Sequence, residues 1–189
     1  MLQKRLAGGI AVMLFLAGCG GTDLVAGDQT GFVAADGSAV VLEVSQRKPA
    51  TNLQATSVDG AVNWQLSSET GNILLLNTWG PWCAPCRKEL PILQNVHDEF
   101  GDDGIKVIGM ATRTNQAAVE LFISQQEISF LQLADYDSAV MVQLDGVPST
   151  TVPSTIFIDR EGRIAGWALG EVDGALLRSI VRSLIAEKA

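Results

Sequence analysis

The hydrophobic positions of the chain change period several times after about residue 49. Continuous apolar runs at residues 73–79 and 105–111 are typical of strands that are buried on both faces of a sheet. Between these runs, apolar residues recur at helical spacing and predict a helix over residues 84–100. The order strand, helix, strand indicates that the two strands are parallel and joined by a helical crossover.

The same criteria predict the remaining elements, and turn or capping residues separate them. They are strands 52–57 and 62–66 around Asp59-Gly60, a helix from Asn115 to about residue 126, strand 130–134, a brief helix capped by Ser138, a hairpin of residues 154–159 and 163–169, and a last helix capped by Asp173. This order predicts an α/β fold with a mixed central sheet, helices on both faces and an added N-terminal β-hairpin.

The N-terminal residues have the pattern of an export signal. Lys4 and Arg5 precede an apolar run of about eleven residues, which is too short to span a bilayer. The run ends in Leu16-Ala17-Gly18-Cys19, which resembles the lipobox of bacterial lipoproteins, where the cysteine is acylated and becomes the new N-terminus. A chance cysteine, or ordinary cleavage nearby, is the alternative.

We therefore predict a lipoprotein signal peptide at residues 1–18 and a lipid anchor with a flexible linker at residues 19–48. The folded domain would then occupy residues 49–189. The linker assignment follows from its Gly, Ala, Ser and Asp content, although residues 39–44 have the propensity of a strand that could pair at a sheet edge.

Composition narrows the class of protein. A hydrophobic content of 47% provides a core, and three cysteines are too few for a disulfide-stapled scaffold. The formal charge of −8 argues against nucleic acid as a partner. Removal of residues 1–18 would take away two basic residues and no acidic one, so anionic lipid would repel the domain and acyl chains on Cys19 must hold it at the membrane.

The segment Trp79-Gly80-Pro81-Trp82-Cys83-Ala84-Pro85-Cys86 lies where a buried strand gives way to a helix. Cys83 is expected at the helix N-terminus, where free N–H groups and the helix dipole stabilise a thiolate. The thiolate is the nucleophile of disulfide exchange, so Cys83 is the predicted attacking group and Cys86 the resolving thiol.

A static disulfide or half of a zinc site are the alternatives for the two cysteines. A zinc site needs two further Cys or His ligands, and only His97 remains once Cys19 is assigned to the leader. We predict no metal and no cofactor.

This motif resembles that of the TlpA/ResA-like membrane-anchored thiol-disulfide oxidoreductases. The resemblance is reinforced by residues 87–91 and 152–155 and by the lipoprotein leader. These oxidoreductases form a group within the thioredoxin-like superfamily and are related to the redoxin or AhpC/TSA proteins. The resemblance runs from about residue 48 to the C-terminus, and it implies the thioredoxin fold for that region.

The resemblance also implies roles for residues near the cysteines. Pro153 would be the cis-proline that faces the active site, and the backbone of Val152 would pair with an extended substrate. Glu89 would accept a proton from the buried thiol, because Asn77 stands where cytosolic thioredoxins carry an aspartate. Trp82 is expected to contact the substrate.

The predicted activity is reduction of protein disulfides outside the cytoplasm, on the bacterial cell membrane. By resemblance, apocytochrome c is an expected substrate and a membrane protein of the CcdA/DsbD type is the expected electron donor. The opposite direction, oxidation of secreted-protein thiols, stays open because the reduction potential decides it. A peroxiredoxin-like peroxidase and a non-enzymatic binding module are weaker alternatives, the former because Gly80 replaces the threonine that polarises peroxide.

Overall fold

The computed structural model describes residues 32–33, 39–147 and 151–187. Within these residues, nine strands and three α-helices follow the predicted order. The strands are β1 (Phe32–Val33), β2 (Ala39–Val41), β3 (Gln54–Thr56), β4 (Asn63–Gln65), β5 (Ile73–Trp79), β6 (Ile105–Thr112), β7 (Leu131–Asp135), β8 (Ser154–Ile158) and β9 (Ile164–Leu169). The helices are α1 (Ala84–Phe100), α2 (Gln116–Gln125) and α3 (Gly174–Ala186).

The described strands form a seven-stranded mixed sheet and a separate two-stranded sheet. The order of the large sheet is β1-β2-β9-β8-β5-β6-β7, and β3 pairs with β4 as the added hairpin. Strand β5 is central and every residue in it is buried, as expected for its continuous apolar run. It is parallel to β6 and antiparallel to β8. The predicted mixed sheet with its N-terminal hairpin is confirmed.

The helices differ from the prediction in one detail of their placement. All three α-helices pack in one apolar cluster on a single face of the sheet, around Leu90, Val119 and Leu177. The other face is covered by the hairpin segment and by short 3-10 helices that contribute Leu53, Leu66 and other apolar residues. The reason is that β5, β6 and β7 follow one another in the same direction across the sheet. Right-handed crossovers then place α1 and α2 on the same face.

The segment before residue 49 joins the large sheet. Strand β2 pairs antiparallel with β9, and Ala39 is fully buried. Arg47, 7% exposed, donates two hydrogen bonds of 2.6 Å to Glu187 at the end of α3 and one of 3.2 Å to Asp159. The strand propensity of residues 39–44 is thus realised over Ala39–Val41.

Substitution of Arg47 by methionine should lower the free energy of unfolding by about 2 kcal/mol, because the partly exposed Glu187 loses its cation and the buried Asp159 keeps only Arg163. Urea denaturation of Arg47→Met measures this loss. Lys48→Met is the matched control, since Lys48 is the exposed neighbour and its replacement should change stability by less than about 0.5 kcal/mol. Equal effects of the two substitutions would contradict a stabilising role of the Arg47 contacts.

No helix in the described part of the chain is long and apolar enough to cross a membrane. The predicted signal peptide and Cys19 lie outside the described residues.

Candidate active site at the Cys83–Cys86 disulfide

The two predicted redox cysteines lie where β5 ends and α1 begins. Cys83 is the N-cap residue of α1, and its Sγ accepts a hydrogen bond of 3.2 Å from the backbone N–H of Cys86. Pro85 occupies the first turn, where its missing N–H leaves no helical hydrogen bond unmade. The helix N-terminus therefore presents its positive end to the Cys83 sulfur, which favours a thiolate after reduction.

Cys83 and Cys86 form a disulfide in the structure. Cys83 retains 4% of its surface exposed, whereas Cys86 is fully buried. A substrate sulfur can therefore approach Cys83 and not Cys86. The division into an attacking and a resolving cysteine stays a prediction, to which this asymmetry lends a physical reason.

The loop before β8 faces this disulfide. The peptide bond between Val152 and Pro153 is cis, as the sequence predicts. The carbonyl oxygen of Val152 lies 3.9 Å from the Cys83 Sγ, and Pro153 is buried. Residues 69 positions apart in the chain are thus brought together, because β8 pairs directly with β5.

Glu89 lies one helical turn after Cys86 and is fully buried. Its carboxylate accepts a hydrogen bond of 2.9 Å from the Asn77 side chain and one of 3.1 Å from the backbone N–H of Val172. Burial raises the pKa of Glu89 to about 7, although both hydrogen bonds favour the ionised form. A group with this pKa can exchange a proton near neutral pH.

Asn77 fixes the position of that carboxylate. Its amide nitrogen donates to Glu89 and also, at 3.0 Å, to the Thr155 hydroxyl on β8. Both contacts are buried, so the Glu89 carboxylate is held by Asn77 of β5 and by the loop before α3, while β8 holds the Asn77 side chain. Asn77 does not titrate, so Glu89 is the member of this pair that can take up or release a proton.

The two tryptophans of the motif have different environments. Trp79 is fully buried, and its indole N–H donates to Gln132 at 2.8 Å. Trp82 is 49% exposed beside Cys83, and its indole N–H donates to the Thr112 carbonyl oxygen at 3.2 Å. Trp79 therefore belongs to the core, whereas the exposed Trp82 could be reached by a substrate, and its contact with substrate stays a prediction.

Sequence reasoning missed Arg113 and the requirement for Gly80. The Arg113 guanidinium lies 4.5 Å from the centre of the Trp82 ring and forms a cation–π contact. A Cβ on Gly80 would lie 2.4 Å from the Trp82 indole nitrogen, so only glycine permits this ring position. The parallel register of β5 and β6 pairs Trp79 with Ala111, and Gly80 and Arg113, which follow these two strands, therefore both lie beside Trp82. A local motif contains no signal for that contact.

In the described part of the chain, no three His, Cys, Asp or Glu side chains come together as metal ligands would. His97 is partly buried, and its ring lies 6.1 Å from that of Phe130. His97 lies in the last turn of α1, far along the helix from the Cys83–Cys86 pair at its start.

Comparisons with known proteins agree with this geometry. The AhpC/TSA family model matches residues 46–166. A thiol-disulfide oxidoreductase ResA from Bacillus thuringiensis subsp. konkukian (strain 97-27) is 25% identical over 171 residues, which cover 90% of this chain and 91% of the relative. The ResA protein of Bacillus subtilis (strain 168) is 27% identical over 134 residues, covering 71% and 73%.

Solved structures show the same fold. A DsbF homologue from Corynebacterium diphtheriae has a TM-score of 0.72 and 30% identity, covering 78% of this chain and 93% of its own. A secreted thiol-disulfide isomerase from Corynebacterium glutamicum has a TM-score of 0.75 and 26% identity, covering 82% and 97%. The thioredoxin-like fold expected from the sequence is confirmed.

Proposed function

Because the chain belongs to the AhpC/TSA family and is a thiol-disulfide oxidoreductase with a redox-active Cys83–Cys86 pair, we propose that it reduces disulfides of other proteins outside the cytoplasm. The observation that carries the proposal is the asymmetric pair at the start of α1, in which Cys83 retains some exposed surface and Cys86 is fully buried one helical turn before Glu89. The relative from Corynebacterium glutamicum is described as secreted, which supports the compartment.

The reaction consists of two exchanges. The Cys83 thiolate attacks one sulfur of the substrate disulfide, a mixed disulfide forms, and the other substrate sulfur leaves as a thiolate. Cys86 then gives its proton to Glu89 and attacks the Cys83 sulfur. The substrate receives two electrons and becomes a dithiol, the Cys83–Cys86 disulfide forms, and the Glu89 proton passes to solvent.

The surroundings of the buried thiol favour the reducing direction. When Glu89 is ionised, its negative charge one turn from Cys86 disfavours a negative charge on the Cys86 sulfur. A dithiol whose thiolate form is poorly stabilised is a stronger reductant, because the disulfide form is then preferred. The helix N-terminus acts in the opposite sense on Cys83 alone. We propose that the effect of the carboxylate is the larger of the two, in which case the pair has a low reduction potential.

The partners follow from this direction. We propose that the substrates are exported proteins with accessible disulfides, among which oxidised apocytochrome c is the first candidate. The oxidised protein would recover two electrons from a membrane donor of the CcdA/DsbD type. Val152, Pro153 and Trp82 surround Cys83 and would bind the substrate segment that carries the disulfide.

The test is turnover of two substrates by the same preparation. Reduction of insulin disulfides with dithiothreitol as electron source should be accelerated by the protein and abolished in Cys83→Ser. Hydrogen peroxide should be consumed no faster than by free dithiothreitol. Peroxide turnover without insulin reduction would overturn the proposal in favour of a peroxidase.

The proposed lipid anchor is tested separately. Cys19→Ser removes the only residue that could carry the thioether-linked diacylglycerol in the lipobox segment, so the protein should move from the membrane fraction to the soluble fraction. Fractionation and immunoblotting measure the distribution. If the Cys19→Ser protein stayed in the membrane fraction, this result would contradict acylation at Cys19.

A further inference from the structure

A cavity of about 150 Å³ opens beside the active-site disulfide, at the carboxyl ends of β5 and β6. Its wall is formed by Thr78, Arg113, Asp135, Met141, Val142 and Val152 among others. Val152 connects the cavity with the reacting sulfur, because it lines the cavity and its carbonyl oxygen lies 3.9 Å from the Cys83 Sγ. The cavity is therefore continuous with the site where the substrate disulfide must bind.

The cavity has the size and the walls of a pocket for an apolar side chain. Met141, Val142 and Val152 provide apolar surface, and the Val142 side chain is accessible to a bound peptide because it is 55% exposed. An apolar cavity of about 150 Å³ in another protein is large enough for benzene. A leucine or phenylalanine side chain fits such a volume.

The segment that carries Met141 and Val142 is held rigidly. Both oxygens of the buried Asp135 carboxylate accept backbone hydrogen bonds, from Val140 at 2.8 Å and from Met141 at 3.1 Å. Ser138, which the sequence suggested as the cap of this turn, is instead paired with the Thr112 hydroxyl. The charged part of the wall therefore carries both signs, the engaged Asp135 carboxylate and the Arg113 guanidinium that lies over Trp82, so the apolar surface of Met141, Val142 and Val152 is left to select the side chain that binds.

An extended substrate that binds at Cys83 would place a neighbouring side chain at this cavity. Neighbouring side chains of an extended chain point to opposite sides. Cys83 packs with the face of the sheet that carries the α-helices, whereas Met141 packs with the other face. If the substrate cysteine points to Cys83, a residue directly next to it points towards the Met141 side.

We propose that this cavity is a specificity subsite that takes the uncharged apolar side chain, of leucine or phenylalanine size, next to the substrate cysteine. The inference rests on the proposed function and assigns a substrate class to the same site. The specificity-determining residues are Met141 and Val142.

The test uses the reduced protein and short peptides that are each joined to an identical copy by one disulfide. Each exchange oxidises Cys83 and Cys86 to a disulfide and releases two peptide thiols, so the protein supplies both electrons. The peptides differ only in having leucine or asparagine, which have similar shapes, before or after the cysteine. The second-order rate constant, followed by tryptophan fluorescence, should be about ten-fold higher for leucine at one of the two positions.

Two valine variants locate the effect. Val142→Asp should remove the preference for leucine, whereas Val44→Asp should keep it, since Val44 is 46% exposed and lies outside the cavity. Equal rates for leucine and asparagine at both positions in the wild-type protein, with insulin still reduced, would overturn the subsite alone. Failure to reduce insulin and every peptide would overturn the proposed function itself. An unchanged leucine preference in Val142→Asp would also overturn the subsite.

Discussion

Cys86→Ser should turn the protein into a trap for its substrates. Cys83 can still attack a disulfide, but no second thiol is available to resolve the mixed disulfide, so turnover should fall by about 10³-fold or more. The trapped species should appear as a covalent adduct on non-reducing gels and disappear with dithiothreitol. Its mass should equal that of the protein plus one substrate.

Cys83→Ser is the matched control, because it makes the same chemical change three residues earlier. Cys86 is fully buried, so this variant should lose turnover and form no adduct. Adducts of equal amount in the two variants would mean that either sulfur can be reached. That result would contradict the assignment of Cys83 as the attacking group.

Glu89→Gln should have the second-largest effect, and it should depend on pH. In the wild-type protein the resolution of the mixed disulfide should speed up as pH rises through about 7, where Glu89 loses its proton, and then level off. In Glu89→Gln this step should be slower by about 10²-fold at neutral pH and lack that inflection. Single-turnover release of a labelled peptide thiol at several pH values measures it. Glu127→Gln, an exposed glutamate, is the control.

The same carboxyl should affect stability in a predictable direction. The pKa of Glu89 is raised from 4.5 to about 7 in the folded protein, so between these values the folded state binds more protons than the unfolded state. The free energy of unfolding should therefore fall as pH rises, by about 2 to 3 kcal/mol from about pH 5 to about pH 8.5. Urea denaturation of the oxidised protein, whose cysteines do not titrate, should show this decrease, and Glu89→Gln should lack it.

An inflection near pH 7 that persists in Glu89→Gln would assign the proton to another group. A pH dependence of stability that is the same in wild type and Glu89→Gln would show that the carboxyl is not buried in the folded state.

Local patterns in the sequence were sufficient to predict most of the elements that position this site. The helix predicted over residues 84–100 is α1, and Asn115 and Asp173 cap α2 and α3 as expected. These features depend on residues close together in the chain, namely capping side chains and apolar periodicity. The cis bond before Pro153 was predicted from a resemblance, since no local rule requires it.

Features that depend on long-range pairing could not be predicted in this way. The contact of Arg113 with Trp82 depends on the register of β5 against β6, and the burial of Arg47 depends on Glu187 at the other end of the chain. The position of α2 on the same face as α1 depends on the order of strands in the sheet. None of these features can be recognised from the local hydrophobic pattern.

The reduction potential of the Cys83–Cys86 pair tests the central claim most directly. The protein is equilibrated with mixtures of oxidised and reduced dithiothreitol, and the fraction in the disulfide form is measured from tryptophan fluorescence. A reductant of protein disulfides should have a potential close to that of thioredoxin, about −270 mV. A value near about −120 mV, typical of a strong oxidant, would contradict the proposed direction of electron flow.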